Sequence, residues 1–158
     1  AFQDQPLEPQ LAMIDLNVRA LVHLTYLCLP YMQPGDRILQ IASSAGLLPM
    51  ENFSVYSASK AFVIHFSNGL AAELSRKGII VTAVCPGPVK TEFHQVATNG
   101  KSDRTSLPMA TPEQVVTKAL HDADRRKWMS LYGLPIKLLP VVTRLFSRKF
   151  LTGVAGRF

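Results

Sequence analysis

The run Ile79 to Cys85, Ile-Ile-Val-Thr-Ala-Val-Cys, constrains the fold of this chain most. It is too short for an ordinary helix, rich in β-branched residues and almost without a polar position. Gly78 closes it on one side and Pro86-Gly87-Pro88 on the other. A strand that is apolar on both faces has to be covered on both faces. That is the situation of a parallel sheet packed between helix layers. Parallel neighbours in turn need crossover connections of a dozen residues or more, usually helical.

The rest of the chain supplies those connections. From Leu11 to about Met32, Ile14, Val18, Leu21, Thr25, Cys28 and Met32 recur at helical spacing, with Pro30 near the end to kink or stop the helix. Pro34-Gly35-Asp36 forms a turn, and Arg37 to Ala42 reads as a short, mostly buried strand. A second long helix runs from about Ser54 to Arg76, with Lys77-Gly78 as its stop. Thr111-Pro112-Glu113-Gln114 carries the signature of a helix start, with a capping threonine, proline in the first turn and glutamine completing a capping box. Trp128 to Tyr132 reads as a third strand, and residues 134–150 as an apolar, basic helical stretch despite Pro135 and Pro140. This helix–strand alternation predicts an α/β fold with a parallel sheet. It also leaves the 37–42 strand with an open side unless more chain or another subunit pairs with it. Residues 1–10 are expected to be an incoming loop, 94–110 a polar loop, and 134–158 a basic amphipathic segment.

Charge is placed unevenly. Residues 1–100 carry six Lys/Arg against seven Asp/Glu, whereas residues 101–158 carry eleven against four. A basic tail suits acidic lipid, an anionic ligand or plain solvation. No nucleic-acid-binding motif accompanies it, so no nucleic-acid partner is expected. Cys28 and Cys85 sit in apolar runs without metal or disulfide spacing, so both are expected to be buried free thiols, as suits a reducing cytoplasm. No targeting signal and no membrane-spanning window are expected in these residues.

The chemistry centres on Tyr56-Ser57-Ala58-Ser59-Lys60. Tyrosine and lysine four apart share one helix face. A free tyrosine, with a pKa near ~10, is a poor acid–base catalyst at neutral pH, and a nearby ammonium favours its phenolate. Ser43 lies thirteen residues earlier, at the end of a predicted strand, where open α/β sheets hold ligands. Its hydroxyl can serve a substrate carbonyl or merely cap a turn. Pro86 to Thr91 follows the next strand at the same end of the sheet, and Gly87 permits close backbone approach.

In order and spacing, Leu16-Asn17-Val18, Ile41 to Gly46, Tyr56 to Lys60 and Val84 to Thr91 resemble the short-chain dehydrogenase/reductase family over residues 11–93. The resemblance implies a Rossmann-type, doubly wound sheet, here its C-terminal part only, in a single domain. It implies hydride transfer between NADP or NAD, with NADP favoured, and a carbonyl or secondary alcohol. Tyr56 would act as general acid/base, Lys60 would assist it and hold the nicotinamide ribose, and Ser43 would orient the substrate oxygen. Asn17 would hold a water in a proton relay to Lys60. Pro86, Gly87, Val89 and Thr91 would border the nicotinamide. Ser44 is the alternative to Ser43, but the spacing to Tyr56 and the following Ala-Gly favour Ser43. The resemblance further implies a homodimer or homotetramer through the helices at 11–32 and 54–76.

The family's opening strand and its Gly-rich T-G-x-x-x-G-x-G turn, which receives the pyrophosphate, are not in these 158 residues. The expectation is therefore an incomplete family domain, inactive alone. Met109, Leu107 and Val96 favour an apolar substrate. Two rival readings stay open: a non-catalytic module that retains a subunit interface, and a reductase attached to a membrane surface through residues 134–158.

Overall fold

The computed structural model describes residues 1–92 and 109–155, except for the side chains of Arg148, Val154 and Ala155. A single helical rod opens the fold, beginning four residues before the apolar period starts. It comprises α1 (Leu7–Ile14), a π-helical segment (Asp15–Ala20), α2 (Leu21–Cys28) and a 3-10 turn (Leu29–Tyr31). The expected loop at 1–10 is thus reduced to a short 3-10 turn, Phe2–Asp4, and Pro6 stands immediately before the helix. Strand β1 (Arg37–Ile41), a 3-10 turn (Ser44–Leu47) and α3 (Ser54–Leu74) follow. Gly78, in the left-handed conformation at φ 74°, ends the α3 unit and leads into β2 (Ile80–Cys85). Then come α4 (Pro112–Asp124), β3 (Met129–Leu131), α5 (Leu134–Leu145) and α6 (Arg148–Ala155). The apolar stretch after residue 134 is two helices rather than one, because the backbone turns extended at Phe146.

The sheet has the order β1-β2-β3, and both pairings are parallel. Residues of β2 alternate between the two helix layers. Val81, Ala83 and Cys85 pack with α3 residues, among them Val63 and Ala71, and with Leu21 and Leu29 of the opening rod. The intervening Thr82 and Val84 point to the opposite face, where α4 lies and where Thr82 Oγ1 donates to the Lys127 carbonyl. Each face of the Ile79–Cys85 run is therefore covered, as its composition requires. Among the described residues β1 pairs on one side only, and Ile41 stays exposed. Cys85 is buried, which pushes its thiol up to about 12, but Cys28 is exposed because it lies on the outer face of the rod. That outer face exposes Leu7, Leu11, Leu16, Leu24 and Leu27, with the Asp15–Arg19 pair among them. By length and composition alone, Leu7–Tyr31 reaches the requirement for a membrane span, contrary to expectation.

Two polar contacts fix the layers. On the rod side, Gln40 Nε2 donates to Thr25 Oγ1 at 2.8 Å, and Thr25 donates to the Leu21 carbonyl, so a buried pair joins β1 to α2. On the α4 side, the fully buried Asp122 accepts from Lys118, from Lys127 at 2.9 Å and from Ser130 at 2.8 Å. Burial alone would raise its carboxyl, but these donors outweigh burial and bring it down to about 2. A carboxyl depressed in the fold stabilises it fully above its unfolded value and loses that contribution as pH falls towards the folded value. Asp122→Asn should therefore cost roughly 2–3 kcal/mol in urea unfolding at pH 7. The deficit relative to the parent should shrink steadily between about pH 4 and pH 2. A deficit that did not change with pH would exclude the carboxylate as its source.

Candidate active site

Parallel pairing in register, Ile41 with Val84, brings the C-terminal ends of β1 and β2 to one edge of the sheet. Ser43 and Pro86 follow those ends directly. The Ala42 N–H donates to the Val84 carbonyl and the Ser44 N–H to the Pro86 carbonyl, both at 2.9 Å, so the ladder continues past the strands and ties the two loops together. The loop after β3 arrives at the same edge. There Gly133, at φ 92°, starts α5, and Ile136 packs over Gly87.

Ser43 caps the Ser44–Leu47 turn, its Oγ accepting from the Ala45 N–H at 3.2 Å. The cap uses a lone pair only, so the hydroxyl hydrogen keeps its ability to donate. The capping and substrate-orienting roles are thus compatible, and the cap holds the oxygen in place. Gly46 explains how this turn sits against α3. A Cβ there would lie 2.6 Å from the Lys60 carbonyl carbon and 2.8 Å from the Ala61 nitrogen, distances at which only glycine fits. The Ser-Ser-Ala-Gly sequence therefore delivers a capped serine and the helix position of Lys60 to the same place.

On α3, the Lys60 ammonium lies 5.9 Å from the centre of the Tyr56 ring, which is cation–π range. Its Nζ also donates to the Ile41 carbonyl at 3.0 Å. Burial pushes the Lys60 amine below its ordinary value. The lysine is thus anchored to the end of β1 by one of its three donors and shares the expected face with Tyr56.

Asn17 lies in the π-helical segment of the opening rod. Its side-chain amide donates to Ser59 Oγ at 3.1 Å, and Ser59 donates to the Tyr56 carbonyl at 2.8 Å. The segment is thereby clamped to the first turns of α3. Ser59 was not singled out from sequence, where a buried serine inside a helix carries no signal of its own. The π segment was also missed, since local widening of a helix leaves the apolar period almost unchanged; such bulges are frequent at functional sites.

Pro86, Gly87 and Val89 lie at the site edge. Val89 forms a parallel bridge with Ala110, through Lys90 N–H to Ala110 O and Ala110 N–H to Pro88 O. Thr91 is exposed at the end of the described stretch and is not joined to the others by a described hydrogen bond. Of the loop expected at 94–110, residues 94–108, with Val96 and Leu107, lie outside the described residues, whereas Met109 is half-buried beside the bridge.

With this geometry in view, comparison with known proteins is unambiguous at the family level. A family model described as short chain dehydrogenase matches residues 1–102. A very-long-chain 3-oxoacyl-CoA reductase of Anas platyrhynchos is 40% identical over 110 residues, covering 68% of this chain and 33% of the relative. A second, reductase-B of Danio rerio, is 36% identical over 141 residues, covering 80% of this chain and 43% of the relative. A short-chain dehydrogenase of Sphingobium yanoikuyae, solved with NADPH, superposes with a TM-score of 0.77 at 30% identity, over 97% of this chain and 59% of that one. The chain belongs to the short-chain dehydrogenase family. It spans between a third and under half of the length of those two curated relatives.

Gly46→Ala tests the close approach. Relief of a backbone clash at 2.6 Å should cost about 1–3 kcal/mol, seen as a fall of several degrees in Tm by calorimetry. Gly69→Ala, where the added methyl meets nothing, should be neutral or slightly stabilising.

Proposed function

We propose that the chain carries the proton-transfer half of an NAD(P)-dependent oxidoreductase that interconverts a carbonyl and a secondary alcohol. The observation that carries this reading is the Lys60 ammonium, fixed by the Ile41 carbonyl and held over the Tyr56 ring at the sheet edge where the strand-end loops converge. NADP is favoured over NAD, because relatives of similar fold were solved with NADPH or NADP+.

The residues present suit the nicotinamide and ribose end of such a cofactor. A lysine with donors to spare, a capped serine and the Pro86–Thr91 loop meet there, whereas the sequence holds no Gly-rich turn for the pyrophosphate. When bound, such a cofactor would supply a hydride to the carbonyl carbon, or accept one in reverse. Tyr56 gives its phenolic proton to the carbonyl oxygen as the C–O double bond becomes single. The Lys60 ammonium stabilises the phenolate that remains, by charge across a half-buried gap where solvent screening is weak. Lys60 would also donate to the ribose hydroxyls of the cofactor, and Ser43 would orient the carbonyl oxygen. Asn17 holds this face by clamping the opening rod to Ser59, and it would hold a water that relays protons towards Lys60. Pro86, Gly87 and Val89 would border the nicotinamide ring, with Thr91 on the side of its carboxamide.

The substrate is an apolar ketone or alcohol, in keeping with Met109 at the site edge. The exposed Leu24, Leu27 and Phe62 on the outer helix faces support a homodimer or homotetramer built on the opening rod and α3. Free Cys28 and Cys85 suit a reducing, cytoplasmic setting.

Tyr56→Phe, assayed on the longest chain its gene encodes, should reduce NADPH-dependent carbonyl reduction by on the order of 10³-fold or more, with the circular dichroism spectrum unchanged. Activity within a few-fold of the parent would remove Tyr56 from the reaction.

A further inference from the structure

α5 carries an apolar stripe on its outer side. Leu134, Leu138, Val141 and Leu145 are spaced four, three and four apart, which sets them on one helix face. They are 73%, 57%, 55% and 74% exposed, whereas Ile136, on the opposite side, is 4% exposed and packed over Gly87. The helix is therefore already seated on the domain through its inner face, and the stripe is additional. Lys137 and Arg144, seven residues apart, run along one shoulder of the stripe, and both are exposed. Past the break, Phe146 and Phe150 stack with ring centres 5.4 Å apart and remain exposed, next to Lys149. From Arg125 to Phe158 there are eight Lys/Arg and no Asp or Glu.

Large aliphatic and aromatic side chains in a stretch of sequence that carries cations and no acid match the boundary between acyl chains and anionic headgroups. A second copy of this chain is a poorer occupant, because it would bring the same cations face to face and no acid to pair with them. We propose that α5 and α6 dock the protein on an anionic phospholipid surface. The Leu134–Leu145 stripe and Phe146/Phe150 enter the acyl boundary, and Lys137, Arg144 and Lys149 lie at headgroup level. The inference stands apart from the reductase reading, since it uses none of the residues assigned to proton transfer.

Co-sedimentation of the 158-residue chain with phosphatidylcholine vesicles, alone or with about 30 mol% phosphatidylserine, tests it. Binding should require the anionic lipid and weaken as salt is raised. The triple substitution Lys137→Gln, Arg144→Gln, Lys149→Gln should lower the partition coefficient on the order of a hundred-fold. Leu138→Ser with Val141→Ser should lower it comparably, and both variants alter only exposed positions, so their circular dichroism should match the parent. Absence of pelleting with anionic vesicles overturns the proposal. So does pelleting that is equal on neutral vesicles and unaffected by the triple substitution. A parent that ignores vesicles but is a dimer broken by Leu138→Ser/Val141→Ser would assign the stripe to chain–chain contact instead.

Discussion

The parallel ladder between β1 and β2 is the constraint on which the candidate site depends. Because the strands run in the same direction and in register, their C-terminal ends stop at one edge, and whatever follows each strand meets there. The ladder does not end with the strands. Its last rungs, at Ala42 and Ser44, join the serine loop to the Pro86 loop through backbone groups that side-chain changes do not remove. Lys60 then reaches back from α3 to the Ile41 carbonyl, so one side-chain hydrogen bond links the helix carrying the Tyr–Lys pair to the strand carrying the serine. A local network of this kind depends on the Ser44–Leu47 turn lying very close to α3, and Gly46 is the residue that lets it approach.

Around this edge, buried polar groups do selective work. Gln40 and Thr25 satisfy each other between β1 and α2, where two apolar residues would pack without specifying how the rod is placed along the strand. Asp122 gathers two lysines and a serine beneath α4 and joins that helix to β3. Asn17 does the same for the rod and α3 through Ser59. Each layer is thus located by directional contacts laid over a non-directional apolar core. That arrangement suits a site whose side chains come from four separate elements.

Much of this was legible in the sequence because it follows from period and punctuation. The double-sided apolar run at 79–85 specified a buried parallel strand. The Thr111–Gln114 capping box is formed as its residue types imply, with Thr111 Oγ1 accepting from the Gln114 N–H and the Gln114 side chain accepting from the Thr111 N–H. The four-residue spacing of Tyr56 and Lys60 put them on one face. What escaped reading has physical reasons too. A π segment barely alters the hydrophobic period, and Ser59 is one serine among several on α3. Whether Cys28 is covered depends on which side of the rod faces the sheet, and the even spread of apolar residues around that rod conceals the answer. The break at Phe146 was hidden for a related reason: Pro135 in the first turn is tolerated, and Pro140 did not stop α5, so neither proline marked where the helix actually ends.

The central claim is that these residues form a nicotinamide–ribose site at the ends of β1 and β2. The most direct test is amide-resolved NMR of the 158-residue chain titrated with reduced nicotinamide mononucleotide, which carries that half of the cofactor and no adenosine. The account predicts saturable shifts in the millimolar range, on the order of the affinity a ligand fragment of this size can reach, concentrated at Ser43, Ser44, Lys60, Gly87 and Val89. Shifts concentrated on α4 or along the outer face of the opening rod, with those five amides unmoved at saturation, would contradict it.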